Sequence, residues 1–584
     1  VFRRKRNPDG TIKKFKGRYC VRGDLEEGEQ DTFAPVVAFS TVRAFLVLSL
    51  SLSWYTASID FEQAFVQATL DDPIWIHLPR GFTSTLGPDT CLELKKSLYG
   101  TRIAPKLWFL HARKAFVSLG FVSCPHDQCL LLRSDCLVVL YVDDAGIAAP
   151  TKAIVDKLIS DLREQGLALT EEGSFTEFLG IKFSRLPDGA IELSQRGLTE
   201  KILQTMAMED CSVNKTPTTQ LGLGTDPDEP PMSEPWSYSS VVGMLLYLTL
   251  NTRPDIAFAV SQVARFTSAP KRTHATAVKM IARYLKGTVG KGMIICPSGT
   301  LDLEAYVDAD FAGLYQREPD HMPDAVRSRT GYLLTLGGCP LLWKSQLQTE
   351  IALSTVAAEY YALSQCMRVV LPMRSLILSV LSAINHPVKC PTKFKCKVYE
   401  DNMGAFYLAT NQRLTSRTKY FLVKYHHFWE AVRAGDIVVE KVDTTLQNAD
   451  YLTKGLPAEP FLANRQRVQG WLVWIDGKPH VKIHSGVPGS MDERESQDCD
   501  SQPVQTGLTK SRPLPTTPGS KNGDLKGSNN AMIVTYVPTT TGDHVQPLES
   551  GAVAAEPSIM VNGRGKISDP SPNVRESEHP SEAD

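Results

Sequence analysis

The chain has 584 residues, of which 42% are hydrophobic and 22% are charged. This composition is ordinary for a globular protein of about two to four domains, and it excludes a collagen, a mini-protein and a wholly disordered chain. The formal net charge is only −1, but residues 491–584 carry eight basic and fourteen acidic side chains. The rest of the chain is therefore basic, and the nine Lys or Arg residues between Val1 and Arg22 form an arm suited to binding phosphates.

The cysteines and the apolar stretches bear on the cellular compartment. The twelve cysteines have no repeated spacing, which predicts reduced thiols in an intracellular protein. Cys124 and Cys129 have no second ligand pair nearby, which favours a structural role over zinc binding. The most apolar stretch, Ala44–Tyr55, is too short to span a bilayer and predicts a buried helix, so no membrane contact is expected.

Apolar periodicity predicts strands and helices along most of the chain, with a Pro-, Gly- and acid-rich seam at Thr216–Trp236 that is typical of a linker. Before the seam, the predicted elements are a strand over Thr56–Asp60, a helix over Phe61–Leu70, hairpin strands over Leu137–Val142 and Ala145–Ala149, and a helix over Ala153–Gln165. After it, they are a helical module over Tyr238–Leu285, strands over Leu301–Val307 and Gly331–Leu336, a helix over Ser354–Val370, a strand over Lys397–Glu400, helices over Ala405–Ala409 and Val423–Ala434, and a strand over Ile437–Val442. The predicted fold class is α+β, or mixed α/β.

Three aspartates, Asp60, Asp143 and Asp144, each stand at the end of an apolar, strand-like run. Phosphoryl transfer in polymerases uses two divalent cations about 3.5–4 Å apart, which carboxylates from separate strands hold. Mg²⁺ prefers oxygen ligands and keeps several waters, so two or three Asp side chains are sufficient. The alternative is that Asp143 and Asp144 only form a hairpin turn, but such turns favour Asn-Gly or Asp-Gly, and adjacent carboxylates repel each other. The pattern therefore favours a metal site.

The run Tyr141-Val-Asp-Asp144 resembles the catalytic box of reverse transcriptases, and its flanking sequence is similar to that of copia-type LTR-retrotransposon Pol polyproteins. The motifs that follow the order of that family are Asp31–Val37, Ser58–Phe65, Leu78–Phe82, Lys96–Gly100, Phe178–Ile181, Leu193–Gln195, Tyr238–Tyr247, Thr252–Ile256 and Arg283–Thr288. The resemblance extends from Val1 to Gly470.

The resemblance assigns roles to residues of the first half. Asp60, Asp143 and Asp144 would be the metal-binding aspartates of the palm. Phe65 would be the steric gate, whose ring excludes a ribose 2′-OH, although a core Phe on an amphipathic helix is the alternative. Ile103 stands where the family has Gln, so a polar contact near the nucleotide or template is absent. A basic run would meet the incoming triphosphate, unless it is only a solvated face, and it comprises Lys13, Lys14, Lys16, Arg18 and Arg22.

Beyond the seam, Asp308, Glu359, Asp401 and Asp450 resemble the Asp-Glu-Asp-Asp set of ribonuclease H domains, which hydrolyse RNA with two metal ions. Asp310 lies on the same face of its strand as Asp308 and competes with it for the first position. The alternatives are an exposed helix acid for Glu359 and a helix N-cap for Asp450. The family's extra Glu is replaced in this chain by Ala357. The residues that would contact the hybrid, or else be structural, are Lys419, Lys424, His426 and His427.

The resemblance implies an RNA-directed DNA polymerase with ribonuclease H activity that uses Mg²⁺, with Mn²⁺ as an alternative. The partners would be an RNA template, a DNA primer, the RNA–DNA hybrid and dNTPs. The implied organisation is fingers and palm over 1–215, a linker over 216–236, a thumb or connection over 237–300, a ribonuclease H-like domain over 301–475 and a disordered tail over 485–584.

Integrase, protease and capsid motifs are not recognised, and the chain begins inside the fingers, so a piece of a longer polyprotein is expected. Its expected location is the cytoplasm, in virus-like particles, or the nucleus. One alternative is a degenerate, inactive copy that at most binds nucleic acid. The other is an RNA-dependent RNA polymerase, which Phe65 and the attached nuclease module disfavour.

Overall fold

The computed structural model of the chain describes residues 2–6, 12–26, 28, 31–79, 81, 87, 90–319, 322–390, 392–412, 423–475 and 478–481. The predicted disordered tail lies outside these residues. The strands are β1 (Phe2–Arg6), β2 (Ile12–Gly17), β3 (Tyr55–Phe61), β4 (Trp75–His77), β5 (Cys91–Glu93), β6 (Val122–Cys124), β7 (Asp127–Arg133), β8 (Cys136–Tyr141), β9 (Asp144–Ala149), β10 (Leu169–Ser174), β11 (Glu177–Phe178), β12 (Ile181–Arg185), β13 (Ile191–Ser194), β14 (Met293–Ile295), β15 (Leu303–Asp310), β16 (Arg329–Leu336), β17 (Cys339–Leu347), β18 (Cys396–Glu400), β19 (Val438–Lys441), β20 (Leu472–Ile475) and β21 (Lys478–Val481).

The helices alternate with these strands, so the fold is mixed α+β as predicted. They are α1 (Phe39–Ser51), α2 (Ala64–Gln67), α3 (Ala104–Ser118), α4 (Lys152–Glu164), α5 (Arg196–Thr205), α6 (Tyr238–Asn251), α7 (Ala257–Ala264), α8 (Arg272–Gly287), α9 (Thr355–Ala383), α10 (Met403–Asn411), α11 (Trp429–Arg433), α12 (Asp450–Thr453) and α13 (Ala458–Val468).

An antiparallel six-stranded sheet organises the first half of the chain, in the order β10-β3-β9-β8-β7-β6. Strand β8 near the centre of the sheet is largely apolar, and its residues Leu137–Leu140 are fully buried, as expected for a strand covered on both faces. Helix α4 buries Val155, Leu158, Ile159 and Leu162, whose spacing places them on one face of a helix. The strands β3 and β9, which carry the candidate aspartates, are therefore neighbours inside a rigid sheet.

A four-stranded sheet, β11-β12-β13-β14, joins this half to the helical module, because β14 follows α8 in the chain. A buried ion pair holds the module together: Arg253 Nη2 lies 2.8 Å from Asp255 Oδ2, with both side chains inaccessible to solvent. Arg253 also donates to the carbonyl of Thr288, and the Tyr284 hydroxyl donates to Asp255. The motif Thr252–Ile256 is thus a packing element, since a buried charge needs such partners.

A five-stranded sheet organises the last part, in the order β17-β16-β15-β18-β19. The pairs β15–β16 and β16–β17 are antiparallel, while β15–β18 and β18–β19 are parallel. Helix α9 packs on β15 and β16 and buries most of its apolar side chains. By length and composition alone α9 could cross a membrane, but half of its most apolar window is buried within the protein, as expected of a core helix.

Several predicted elements differ from the observed ones. The predicted helix over Phe61–Leu70 is mostly wrong: Phe61 belongs to β3, and only Ala64–Gln67 is helical. The chain turns between them because Gln63 adopts a left-handed conformation, with φ of 49°. The predicted helix over Val423–Ala434 is divided into a 3₁₀ turn and the short α11, and β17 was not predicted.

The predicted linker at Thr216–Trp236 is in fact packed against the later part of the chain. Arg265 Nη2 lies 2.5 Å from Glu318 Oε1, and Glu318 Oε2 accepts from the backbone N–H of Thr225 at 2.9 Å. A Cβ atom on Gly224 would fall 2.3 Å from the carbonyl oxygen of Arg317, so this position requires glycine. Glu318 thus holds the seam in place.

Candidate active sites

The first set of carboxylates lies at one end of β3 and β9. Asp60 and Asp144 are directly opposite each other in the antiparallel pair, so both side chains point to the same face of the sheet, with Cβ atoms about 5 Å apart. Tyr141 pairs with Asp144, which leaves Val142 and Asp143 as the two turn residues between β8 and β9. The sheet therefore brings together Asp60, Asp143 and Asp144, as the sequence predicted.

The turn that carries Asp143 is strained and firmly held. Val142 has a φ of 50°, a left-handed conformation that is unfavourable for a β-branched residue. The indole N–H of Trp108 donates to the Val142 carbonyl at 2.5 Å, and the backbone N–H of Phe61 donates to the Asp143 carbonyl at 2.6 Å. Both hydrogen bonds fix the turn, which explains how the strain persists. Strained backbone of this kind concentrates at functional sites.

The electrostatics of this site fit a bound cation. Burial, and after it the nearby carboxylates of Asp143 and Asp60, raise the pKa of Asp144 to about 7. Three acids held this close repel one another, and a divalent cation between them would remove that repulsion. The donor set is oxygen alone, which is the set that Mg²⁺ prefers.

The raised pKa of Asp144 predicts a pH effect on stability. The folded-state pKa of about 7 exceeds the ordinary aspartate pKa of 3.8, so the folded chain binds the proton more tightly than the unfolded chain. The contribution of Asp144 to the free energy of unfolding is therefore most favourable below about pH 4 and is lost as the pH rises to about 7. Without divalent metal, we expect the melting temperature of wild type to fall relative to that of Asp144→Asn between pH 5 and 7.5. Parallel pH curves for the two proteins would refute this.

The candidate nucleotide side of the site is built around Tyr99, which the sequence analysis did not single out. The half-buried ring of Phe65 lies 5.0 Å from the Tyr99 ring, and the guanidinium of Arg18 lies 4.9 Å from the same ring. Burial raises the pKa of Tyr99, and the charges of Asp143 and Asp60 act on it in the same direction. Tyr99 therefore lies between the basic segment and the carboxylates.

The other basic candidates are placed differently. Arg22 is exposed, and its Nη2 lies 2.5 Å from Asp24 Oδ2, so its charge is already paired. Lys16 belongs to β2, but its side chain lies outside the described residues, as do those of Lys13 and Lys14. In the structure, Arg18 therefore lies next to Tyr99 at the site, whereas Arg22 forms an ion pair with Asp24.

The motif Lys96–Gly100 anchors the basic segment to the palm. The backbone N–H of Val21 donates to the Tyr99 carbonyl at 2.8 Å. Gly100 has a φ of +93°, and a Cβ atom there would fall 2.1 Å from the Val21 carbonyl oxygen. Ile103 follows as the N-cap residue of α3, where it supplies no capping hydrogen bond. The motif therefore requires glycine for close backbone packing.

The gate assignment predicts a change in sugar selectivity. Phe65→Ala removes a ring that is half-buried beside Tyr99, so we expect the ratio of rNTP to dNTP incorporation to rise by about tenfold or more. Primer extension with each nucleotide type measures this ratio. Val66→Ala, one residue along α2, is the matched control. If both variants are folded, active and equally selective, Phe65 is only a core residue.

The second set of carboxylates meets at the edge of the five-stranded sheet. Asp308, Glu359 and Asp401 each offer a carboxylate oxygen, and these three oxygens lie within 4.8 Å of one another. The parallel strands β15 and β18 pair Tyr306 with Tyr399, so Asp308 and Asp401 each lie two residues beyond this pair. Helix α9 supplies Glu359 from its first turns. Asp308, and not its competitor Asp310, belongs to this group.

This second site is also electrostatically suited to a cation. Glu359 is buried rather than exposed, and its Oε2 has no hydrogen-bond partner among the described residues. Burial raises the pKa of Glu359 well above its usual value, and the nearby charge of Glu400 adds to the effect. Glu400 is itself fully buried, which the sequence did not reveal because it directly precedes the more obvious Asp401. Oxygen ligands left without a donor in this way fit a divalent ion.

Asp450 joins this site through a lysine. It is the first residue of α12, with Ala449 as the N-cap, so the predicted capping alternative is wrong. Lys454 Nζ lies 3.0 Å from Asp450 Oδ1 and 3.7 Å from Asp308 Oδ2. The hydroxyl of Thr453 donates to Asp308. The motif Asp450–Lys454 thus contributes an acid, a hydroxyl and a cation to one site.

The residues that were expected to contact the RNA–DNA hybrid differ in their surroundings. His426 Nδ1 lies 2.8 Å from the Tyr360 hydroxyl, and its ring packs 4.1 Å from Trp429, which is a structural arrangement. His427 is exposed. Lys419 and the side chain of Lys424 lie outside the described residues.

Comparisons with known proteins identify the family model and the relatives that this chain resembles. Residues 1–220 match the family model described as reverse transcriptase (RNA-dependent DNA polymerase). The chain is 31% identical over 468 residues to the retrovirus-related Pol polyprotein from transposon RE2 of Arabidopsis thaliana, covering 79% of this chain and 31% of the relative. It is also 31% identical over 477 residues to the Pol polyprotein from transposon TNT 1-94 of Nicotiana tabacum, covering 79% and 34%.

The fold is mixed α+β, and its first acidic site brings together three aspartates. The chain belongs to the copia-type retrotransposon Pol polyproteins, in their reverse transcriptase region. It spans about a third of the length of these curated relatives. A solved structure of the foamy viral protease-reverse transcriptase in complex with RNA/DNA hybrid is 12% identical, with a TM-score of 0.37, and covers 74% of this chain and 47% of that chain.

Proposed function

We propose that this chain is an RNA-directed DNA polymerase that also degrades the RNA strand of RNA–DNA hybrids. The observation that carries the polymerase assignment is the direct pairing of Asp60 with Asp144 beside the constrained turn of Asp143. The cluster of Asp308, Glu359 and Asp401 supports the nuclease assignment. The alignments of 468 and 477 residues also extend well beyond residues 1–220.

The proposed organisation follows the six-stranded and the five-stranded sheets. Residues 1–215 would form fingers and palm, residues 237–300 a thumb or connection, and residues 301–475 a ribonuclease H-like domain. The order β17-β16-β15-β18-β19, with one antiparallel half and one parallel half, supports the last assignment. Residues 216–236 would be a docked connection rather than a free linker, because Glu318 binds Thr225 and Arg265.

The residues of the polymerase site would act mainly by positioning. Asp60, Asp143 and Asp144 would hold divalent cations, for which Mg²⁺ is the proposed ion and Mn²⁺ the alternative. Such ions stabilise the charge that develops on the phosphates during transfer. Arg18 would add positive charge on the triphosphate side, and Phe65 would exclude the 2′-OH. An RNA template and a DNA primer would be held through their phosphates, so binding should weaken with salt.

Primer extension on poly(rA)/oligo(dT) tests the polymerase assignment, using the full chain with Mg²⁺ or Mn²⁺. We expect dTTP incorporation that depends on the metal, together with metal-dependent cleavage of a labelled RNA–DNA hybrid in a parallel assay. Extension with rNTPs in place of dNTPs would instead indicate an RNA-dependent RNA polymerase. Hybrid binding without either activity would indicate a degenerate copy.

A further inference from the structure

Helix α2, which carries Phe65, is too short to hold its own position. It has only four residues, Ala64–Gln67, and its N-cap residue, Gln63, supplies no capping hydrogen bond from its side chain. A helix of this length is unstable by itself in water, because a single turn does not offset the cost of ordering the chain. The place of the Phe65 ring therefore depends on the contacts that α2 makes with its neighbours.

The side chain of Gln67 links the end of α2 to the six-stranded sheet. Its Nε2 donates to the Ala168 carbonyl at 2.8 Å, and its Oε1 accepts from the backbone N–H of Ala168 at 2.9 Å. The same Nε2 also donates to the Glu62 carbonyl at 2.7 Å. The carboxamide thus uses both of its hydrogens and its oxygen, which fixes its orientation.

Ala168 is the part of the sheet edge that lies closest in register to the first aspartate. It immediately precedes β10, in which Thr170 pairs with Asp60 of β3. The backbone N–H of Glu62 donates to the Ala168 carbonyl at 3.0 Å, one step beyond the end of β3. Gln67 therefore continues the pairing of β3 with β10, with its carboxamide in the place of a strand's peptide group.

The other side of α2 contacts the motif Lys96–Gly100. The backbone N–H of Ser97 donates to the carbonyl of Ala68, just beyond the helix, at 3.0 Å. The Phe65 ring packs on the Tyr99 ring with 5.0 Å between their centroids. A ring contact is less directional than a hydrogen bond and tolerates small shifts. The three directional bonds of the Gln67 carboxamide are therefore what tie the helix to the strands of the sheet.

We propose that Gln67 is a positioning residue for the sugar gate, which sets the place of the Phe65 ring through α2 rather than by contact with the nucleotide. This inference rests on the proposed polymerase function and on Phe65 as its gate. Without the carboxamide, α2 would shift against the sheet that carries Asp60, and the ring would exclude a ribose 2′-OH less strictly. A shift of about 1 Å at a reacting site can change a rate by on the order of a hundredfold.

Single-nucleotide primer extension opposite cytosine in an RNA template tests the proposal, because dGTP and GTP differ only in the 2′-OH. The full chain is compared with Gln67→Leu, since leucine is similar in size and removes all three hydrogen bonds. We expect the ratio of kcat/KM for GTP to that for dGTP to rise severalfold in Gln67→Leu. Gln165→Leu is the matched control and should keep the parental ratio, because Gln165 is an exposed glutamine that accepts from Ser118 away from α2.

The Phe65→Ala background shows whether Gln67 acts through the gate. Once the ring is absent, Gln67→Leu should raise the ratio no further, which is a double-mutant cycle. An equal rise in both backgrounds would overturn the proposal, as would a parental ratio in a folded Gln67→Leu protein. If Gln67→Leu is unfolded by circular dichroism, Gln67→Glu replaces it with the same expectation, because a carboxylate cannot donate to the carbonyls of Ala168 and Glu62.

The parent and the Phe65→Ala protein separate this inference from the proposed function. A parent that incorporates neither nucleotide would reject the polymerase assignment, and the role of Gln67 with it. An active parent with an unchanged ratio in Phe65→Ala would reject the gate and therefore its positioning residue. A raised ratio in Phe65→Ala beside a parental ratio in Gln67→Leu would keep the polymerase and its gate and reject only the role of Gln67.

Discussion

Asp143→Asn is expected to lower dNTP incorporation by on the order of a hundredfold or more, because one anionic ligand is lost at the point where charge develops. Asparagine keeps the shape of the side chain, and the turn is held through the backbone carbonyls of Val142 and Asp143 rather than through the carboxylate. The fold and the affinity for nucleic acid should therefore persist. Primer extension and hybrid binding, measured on one preparation, check both expectations.

Asp156→Asn is the matched control, since Asp156 is an exposed aspartate on α4 that pairs only with Lys152 among the described residues. It should extend primers at the parental rate. If Asp143→Asn also does so, Asp143 does not hold a metal ion, and the polymerase site must be assigned elsewhere.

Glu359→Gln is expected to abolish hybrid cleavage and, at the same time, to stabilise the metal-free chain. The pKa of Glu359 is raised by burial and by Glu400, so its ionised form destabilises the fold at pH values above the unfolded pKa. The neutral amide removes this penalty, which should raise the melting temperature at pH 8 and leave it unchanged at pH 4. Loss of function with a gain in stability is typical of active-site residues.

Thermal unfolding in EDTA and cleavage in Mg²⁺ measure the two effects of Glu359→Gln. Glu430→Gln, on the exposed side of α11, is the control and should change neither. A Glu359→Gln protein that melts at a lower temperature and has also lost primer extension would mean that Glu359 is needed for folding.

The strands that carry the acids were predictable because each is a short apolar run that ends in a carboxylate. The adjacent helix was not, because Phe61 continues β3 through pairing with Leu169, more than a hundred residues away in the chain. The packing of the seam at Thr216–Trp236 was not predictable for a similar reason. Its glycines and acids indicate flexibility locally, whereas Gly224 is in fact needed for close packing against Arg317.

The sequence was sufficient to select the acidic residues of the two sites. It was not sufficient to select the neighbouring residues that modulate them. Motif resemblance identified Asp308, Glu359 and Asp401, and the sheet register explains why they converge. Glu400 and Lys454 act through burial and charge, which depend on three-dimensional packing. Both residues lie within or beside recognised motifs. The sequence alone, however, gave no physical reason to single them out as residues of the site.

The most direct test of two separate metal sites on one chain is a reciprocal assay of Asp143→Asn and Asp401→Asn. Primer extension and cleavage of a labelled RNA–DNA hybrid are measured on the same preparations of both variants and the parent. Asp401 accepts a hydrogen bond from Thr444 at the second site, where Asp143 does not belong. The two-site account predicts that Asp143→Asn loses extension and keeps cleavage, while Asp401→Asn loses cleavage and keeps extension. Equal loss of both activities from either single change would contradict it.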